Sequence, residues 1–268
     1  MISPLQVQAI YIYPIKSLGG ISLDYGIVEE KGFQYDRRWM LVDADGVFVS
    51  QRSYPKLALL QVQLVNGGLS VSLKSEPENN LFIPFEASQG KYIDVTIWDD
   101  LVEGQLVGEE FDTWFSQQLS KSVRLVLMPE MSQRKVDPRY AVHNESVSFA
   151  DGMPYLLLGE ESLNDLNTRL SKPVPMDRFR PNIVFSGSQA YSEDSWSELR
   201  IGNVDFRIVK PCARCVLTTV DQATGFKGKE PLKTLASYRT MGGKVLFGQN
   251  MVALSPGRIQ VGDRVKIV

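Results

Sequence analysis

The chain has 268 residues, 43% of them apolar, 22% charged and 10% aromatic, a soluble globular composition long enough for one large domain or two ordinary ones. Its formal net charge of −2 gives no whole-chain basic field for a nucleic acid polymer. No stretch approaches the roughly 20 apolar residues of a membrane span, no basic leader opens the chain, and two cysteines are too few for a disulfide scaffold, so the expectation is a cytoplasmic protein with reduced thiols.

In chain order, alternation comes first. VQAIYIYP (7–14), WMLVDADGVFVSQ (39–51), LALLQVQLV, LSVSLK and YIDVTIWDDLVEGQLV predict strands. Asp45-Gly46, Asn66-Gly67-Gly68 and Asp99-Asp100 separate them with turn chemistry. Short strands at this spacing suggest a small twisted barrel or sandwich. GEEFDTWFSQQLS (108–120) changes period: Phe111, Trp114, Phe115 and Leu119 share one helical face, and Glu109, Glu110 and Asp112 suit the positive helix start. VRLVLM (123–128) reads as a strand. The polar run 129–146 has no clear period and reads as a domain transition or an ordered surface loop.

A second unit follows. PYLLLG is a strand, and 160–171 is a helix with Leu163, Leu166 and Leu170 facing inward. FRPNIVFSG, ELRIGNVDFRIVK, CVLTTVD, VLFGQNMVAL and RIQVGDRVKIV are strand candidates, and KEPLKTLASYR is a helix with Pro231 in its first turn. The expected fold is mainly β (α+β). A small N-terminal β-barrel or β-rich domain, 1–123, packs on a β-barrel domain, 124–268, with a few peripheral helices.

Both cysteines lie in KPCARCVLTTVDQATG (210–225). A structural zinc site takes four Cys or His ligands, and this chain has two Cys and one His, His143, which reads as a surface residue. A thioredoxin-like pair usually opens a helix, whereas the β-branched VLTTV after Cys215 argues for a strand. Two small buried hydrophobes are the bland alternative. Lys210 and Arg214 weaken it, because nearby cations stabilise a thiolate, the form that attacks or binds soft metals. One thiolate cannot hold a transition metal alone in a water-accessible cleft. A lone thiolate with cationic anchors suits a metal carried by an anionic organic ligand.

KPCARCVLTTVDQATG, DRFRPNIVFSG, EDSWSELRIG, EPLKTLASYR, LFGQNMVAL and GRIQVGDRVKIV together resemble the MOSC domain, named after the C-terminal domain of molybdenum cofactor sulfurase. IYPIKSLGG and DRRWMLVD resemble the β-barrel domain that precedes it. The pattern is similar to that of the mitochondrial amidoxime reducing component and its bacterial counterparts. The resemblance implies a molybdenum-cofactor-dependent oxidoreductase that reduces amidoximes, hydroxylamines and N-hydroxylated bases by oxygen-atom abstraction. It implies Cys215 as the metal ligand, with the cofactor's dithiolene and an oxo group completing the inner sphere. Lys16, Ser17, Arg37, Arg180, Asn182, Ala213 and Arg214 would bind the pterin and its phosphate, with Arg38 or Arg178 as alternatives to Arg37 and Arg180. Asp151 is either a proton-relaying neighbour of the metal or a turn-former beside Gly152. Gly152 and Met153 depart from the hydroxyl residues of mitochondrial relatives. Two cysteines cannot supply the four thiolates of an iron–sulfur cluster, so electrons are expected from a separate protein of the ferredoxin, flavin reductase or cytochrome type. The rival expectations are a sulfur carrier using a persulfide on Cys215 or Cys212, and a non-catalytic cofactor-binding module.

Overall fold

The computed structural model describes residues 4–86 and 90–268, and strands dominate them, as the alternation predicts. Among the described residues nine strands form the largest sheet. Its order is Val265–Ile267, Glu198–Ile201, Val204–Ala213, Lys244–Ala253, Tyr155–Gly159, Ile183–Ser186, Gln6–Ile12 and Ile21–Leu23, with Thr240–Met241 paired to Lys244–Ala253. Tyr155–Gly159 and Ile183–Ser186 run parallel, joined through the helix Glu160–Thr168, because a parallel pair needs a long crossover. Leu163 and Leu166 of that helix are buried and Leu170 packs beside them.

The first strand of the chain therefore sits in the sheet of the second unit. Gln6–Ile12 pairs with Ile183–Ser186, Tyr25–Glu29 with Gly257–Gln260, and Trp39–Val42 with Arg124–Leu127. One core follows the same path: Ile10, Ile12 and Phe33 pack with Tyr155, Leu157, Phe185 and Phe206, all fully buried. Each such side chain contributes about 1.5–3 kcal/mol by leaving water. We keep the division after residue 123 as a proposal about units of sequence; the packing runs across it. A meander, Leu60–Val65, Gly68–Leu73 and Glu76–Pro84, encloses a second core with Trp39, Leu57 and Leu125. The helix Glu109–Leu119 closes that core with Phe111, Phe115 and Leu119, the predicted stripe.

Two expectations need correction. The strand predicted after Cys215 is a 3-10 turn, Val216–Thr219. The Thr218 and Thr219 hydroxyls donate to the carbonyls of Cys215 (3.0 Å) and Val216 (2.8 Å), and these local bonds outweigh β-branched propensity. The turn expected at Asp45-Gly46 follows the strand Trp39–Val42, and there the Asp43 carboxylate accepts the Asp45 and Val47 amides (3.1 and 3.0 Å). Pro231 precedes the helix Leu232–Tyr238 as its N-cap. Glu76–Pro84 escaped the sequence reading because EPENN is polar and exposed on both faces. The run 129–146 is ordered: Lys135 bridges to Ser146, and Arg134, Val136 and Glu145 are buried. Among the described residues no helix is long and apolar enough to cross a membrane.

Candidate functional site

A cleft of about 620 Å³ opens where the chain's early loops meet the ends of the strands Val204–Ala213 and Lys244–Ala253. Strand Val204–Ala213 shifts register against its neighbour at 208/210 and again at 211/213. Such bulges bend a strand end and re-aim its side chains, and Pro211, lacking an amide proton, suits one. The chain then passes Cys212, Ala213, Arg214 and Cys215 along the cleft wall. Cys215 is exposed and neither cysteine is in a disulfide. Arg178 clamps the turn behind it, donating to the carbonyls of Thr218 (2.8 Å) and Glu230 (3.0 Å).

The rest of the wall combines loops from the first part of the chain with the loop before Ile183–Ser186. Ser17, Arg37 and Arg180 all line the cleft and all hold left-handed backbone, with φ of 70°, 51° and 53°. Non-glycine residues rarely adopt that region, and such strain concentrates at functional sites. The guanidinium groups of Arg37 and Arg180 lie 4.3 and 4.1 Å from the centre of the Tyr13 ring. Arg37 also pairs with buried Asp36 at 2.6 Å. Arg180 has no carboxylate partner among the described residues; it donates to the Leu18 carbonyl at 2.7 Å. Burial pushes its pKa down to about 10, with Arg37 adding to the fall and Asp36 and Asp151 opposing it from beyond ion-pair distance.

Asn182 is the one predicted ligand outside the cleft lining. Its side chain is 2% exposed and works from behind. Its Oδ1 accepts from Arg37 (3.1 Å) and from the Leu156 amide (3.2 Å), and its Nδ2 donates to the Tyr11 carbonyl (3.2 Å). The geometry also separates the arginine alternatives. Arg38 pairs with Glu29 (2.6 Å) and Arg178 holds backbone, so neither lines the cleft.

Lys16 Nζ donates to Asp151 Oδ1 (2.6 Å) and to the Phe149 carbonyl (2.7 Å). Burial lowers the Lys16 pKa to about 8, against the upward pull of Asp151. Asp151 is 58% accessible on its side chain but lies within the cleft, which opposes its ionisation. Lys16, then Arg52 and Arg37, outweigh that cost and hold the carboxyl well below the usual carboxylate range. Arg134 fixes the loop beneath: it pairs with Asp100 (2.7 Å) and donates to the carbonyls of Ser148 (3.0 Å), Ala150 and Asp151 (3.3 Å).

Sequence reasoning missed Arg52, Asp137, Arg139, Tyr140 and Lys244 in the lining. Arg52 stacks on Trp98 (4.2 Å) and nearby Phe48 (5.3 Å), and a cation held against an aromatic as distant in sequence as Trp98 leaves no local signal. Among the described lining residues, eight are cationic (Lys16, Arg37, Arg52, Arg139, Arg180, Lys210, Arg214, Lys244) and two are carboxylates, Asp137 and Asp151. The cleft thus carries an excess of six positive charges in a chain of net charge −2. Among the described residues no three His, Cys, Asp or Glu side chains gather as a metal site.

Fold and cleft together define a mainly β protein with a strongly cationic cleft lined in part by an exposed cysteine. The MOSC N-terminal beta barrel domain matches residues 5–122 and the MOSC domain matches residues 144–266. The chain is 36% identical to mouse mitochondrial amidoxime-reducing component 1, over 98% of this chain and 82% of that protein. It is 38% identical to rat mitochondrial amidoxime reducing component 2, over 97% of this chain and 82% of that protein. It is also 33% identical to rice molybdenum cofactor sulfurase, over 92% of this chain and 32% of that protein. The chain belongs to the MOSC-domain family, and its function is associated with the molybdenum cofactor.

Proposed function

We propose that this protein is a molybdenum-cofactor-dependent oxidoreductase that reduces N-hydroxylated compounds, with Cys215 as the protein's ligand to the metal. The observation that carries the reading is the excess of positive charge around one exposed thiol. The residues present fit the group. Arg214 Nε is buried with no hydrogen-bond partner, and Arg180 has no carboxylate within ion-pair distance among the described residues, so both could receive an anion. Open space surrounds Gly152: a Cβ there would meet nothing within 4 Å. The lost hydroxyl at that position therefore leaves room rather than a clash.

When bound, the cofactor supplies the two-electron redox chemistry that cleaves the N–O bond. The chain's share is holding, orienting and protonating. Ser17, Arg37, Arg180 and Arg214 would bind the pterin's anionic end, with Lys16 and the Ala213 backbone alongside the cofactor. Asn182 would act through Arg37 by fixing its guanidinium. Asp151 stays ionised throughout the neutral range, so it does not donate the proton itself. Its carboxylate keeps Lys16 Nζ charged, and Lys16, titrating near 8, is the group able to release a proton toward the leaving oxygen. The reductant would be a separate electron-transfer protein of the ferredoxin, flavin reductase or cytochrome type. Two free thiols suit a reducing compartment, and we place the protein in the cytoplasm.

Elemental analysis of freshly purified protein should find molybdenum in stoichiometric amount. The Cys215→Ala variant should keep its circular dichroism spectrum and lose benzamidoxime reduction. Full reductase activity in that variant would refute the ligand assignment. A sulfur-carrier reading draws on the likeness to rice molybdenum cofactor sulfurase and on the exposure of Cys215. Intact-mass analysis after alkylation separates the two, since only a carrier yields a trapped persulfide.

A further inference from the structure

We propose that Lys210 and Lys244 form a second anion subsite in this cleft, which selects N-hydroxylated substrates bearing a carboxylate or phosphate. The inference rests on the reductase reading above and deepens it.

The cleft's cations fall into two groups with separate surroundings. Lys16 feels Asp151, Arg134 and Arg37, and Arg180 feels Tyr13, Arg37, Asp36 and Asp151. The charges acting on Lys210 are instead Asp137, Cys212, Arg139 and Lys244. Cys212, which acts on Lys210, also accepts at Sγ from Arg214 at 2.9 Å, on the strand end that leads to Cys215. Both groups line the same cleft as the exposed Cys215.

The second group has charge to spare. Arg139 is neutralised by its own Asp137 at 2.6 Å. Lys210 and Lys244 have no carboxylate partner within salt-bridge distance among the described residues, though both line the cleft. Lys210 is half-buried and lies 4.1 Å over the Tyr140 ring. Burial lowers its pKa, so it is a partly desolvated cation that a bound anion would stabilise. Beside it, the Tyr140 ring and the Met241 side chain, which is 72% exposed, offer apolar surface for the body of a flat substrate.

The test uses the molybdenum-loaded protein, reduced methyl viologen as electron donor, and three probes: benzamidoxime, 4-carboxybenzamidoxime and 4-phosphonobenzamidoxime. Wild type should prefer the anionic probes, and the two anionic arms show which group the subsite takes. In Lys210→Gln and Lys244→Gln the ratio of kcat/KM for the better anionic probe over benzamidoxime should fall about tenfold, the loss of one charge-assisted hydrogen bond. Molybdenum content should stay at the wild-type level. Lys244 is exposed at a strand end, so its variant keeps the test decisive even if Lys210→Gln misfolds. An unchanged ratio overturns the proposal. So does a loss of molybdenum in both variants, which would give these lysines to the cofactor. If wild type reduces none of the probes, the reductase reading fails on its own. Calorimetric binding of the same probes without reductant then judges the subsite: weakened binding of only the anionic probes in the variants supports it, and equal binding overturns it.

Discussion

Lys16 Nζ lies 2.6 Å from Asp151 Oδ1, a pair that joins residues 135 positions apart in the chain across the floor of the cleft. Its two halves titrate in different ranges. Burial brings Lys16 from 10.5 down to about 8, while the surrounding cations hold Asp151 below the ordinary carboxylate range. The pair is therefore an ion pair at pH 7, and its alkaline end is the one that opens near neutrality.

That end sets a pH dependence. If Lys16 supplies the proton, benzamidoxime turnover should fall as pH rises through about 8. Asp151→Asn removes the charge that raises the Lys16 pKa, so the alkaline limb should move to lower pH by roughly one unit, the usual effect of losing an adjacent opposite charge. A limb that stays in place would remove Lys16 from the proton path. Stability gives an independent reading in the cofactor-free protein. Between 8 and 10.5 the unfolded chain holds more protons on Lys16 than the folded one, so this group makes stability rise with pH through that window. Thermal melts should show that rise in wild type and a smaller one in Lys16→Met.

Arg180 is buried against Tyr13 with a backbone carbonyl but no carboxylate to receive its charge. Pyrophosphate should therefore stabilise the cofactor-free protein, by about 2.7 kcal/mol at one hundred times its Kd. Arg180→Met should itself tolerate the cleft well and lose most of the pyrophosphate-induced rise in Tm. An equal rise in the variant would place the anion elsewhere.

Gly248 carries φ +81° in the long strand behind the site, and a Cβ there would sit 2.8 Å from the Leu157 carbonyl oxygen. Gly248→Ala should cost about 1–3 kcal/mol from the left-handed backbone, plus the displacement of that carbonyl. Urea unfolding followed by tryptophan fluorescence reads the loss. A midpoint equal to wild type would mean the two strands part without penalty.

Much of this was legible in the chain itself, for a physical reason. Helix 109–119 declared itself because a stripe of Phe111, Phe115 and Leu119 is a local pattern of period 3.6. Strands such as Gln6–Ile12 and Lys244–Ala253 followed from apolar content and turn residues nearby. Eight of the nine site residues named from sequence line one cleft, because they lie within motifs such as IYPIKS, RFRPN and CARC. The turn after Cys215 was misread because two threonine hydroxyls capture carbonyls that a strand would have left to its neighbour. Asn182 was placed in the site rather than behind it, since a sequence does not say which way an amide in RFRPN faces.

By itself, then, the order of residues determined a mainly β chain, its aromatic helix, and a thiol set among cations. Those properties depend on near neighbours and on composition. Only the tertiary structure decided that Arg52, Arg139 and Lys244 join the cleft, that Arg37 and not Arg38 faces it, and that Lys16 is poised near 8. Convergence of like charges and loss of water around them are set by strands paired across more than a hundred residues, and no local pattern encodes them.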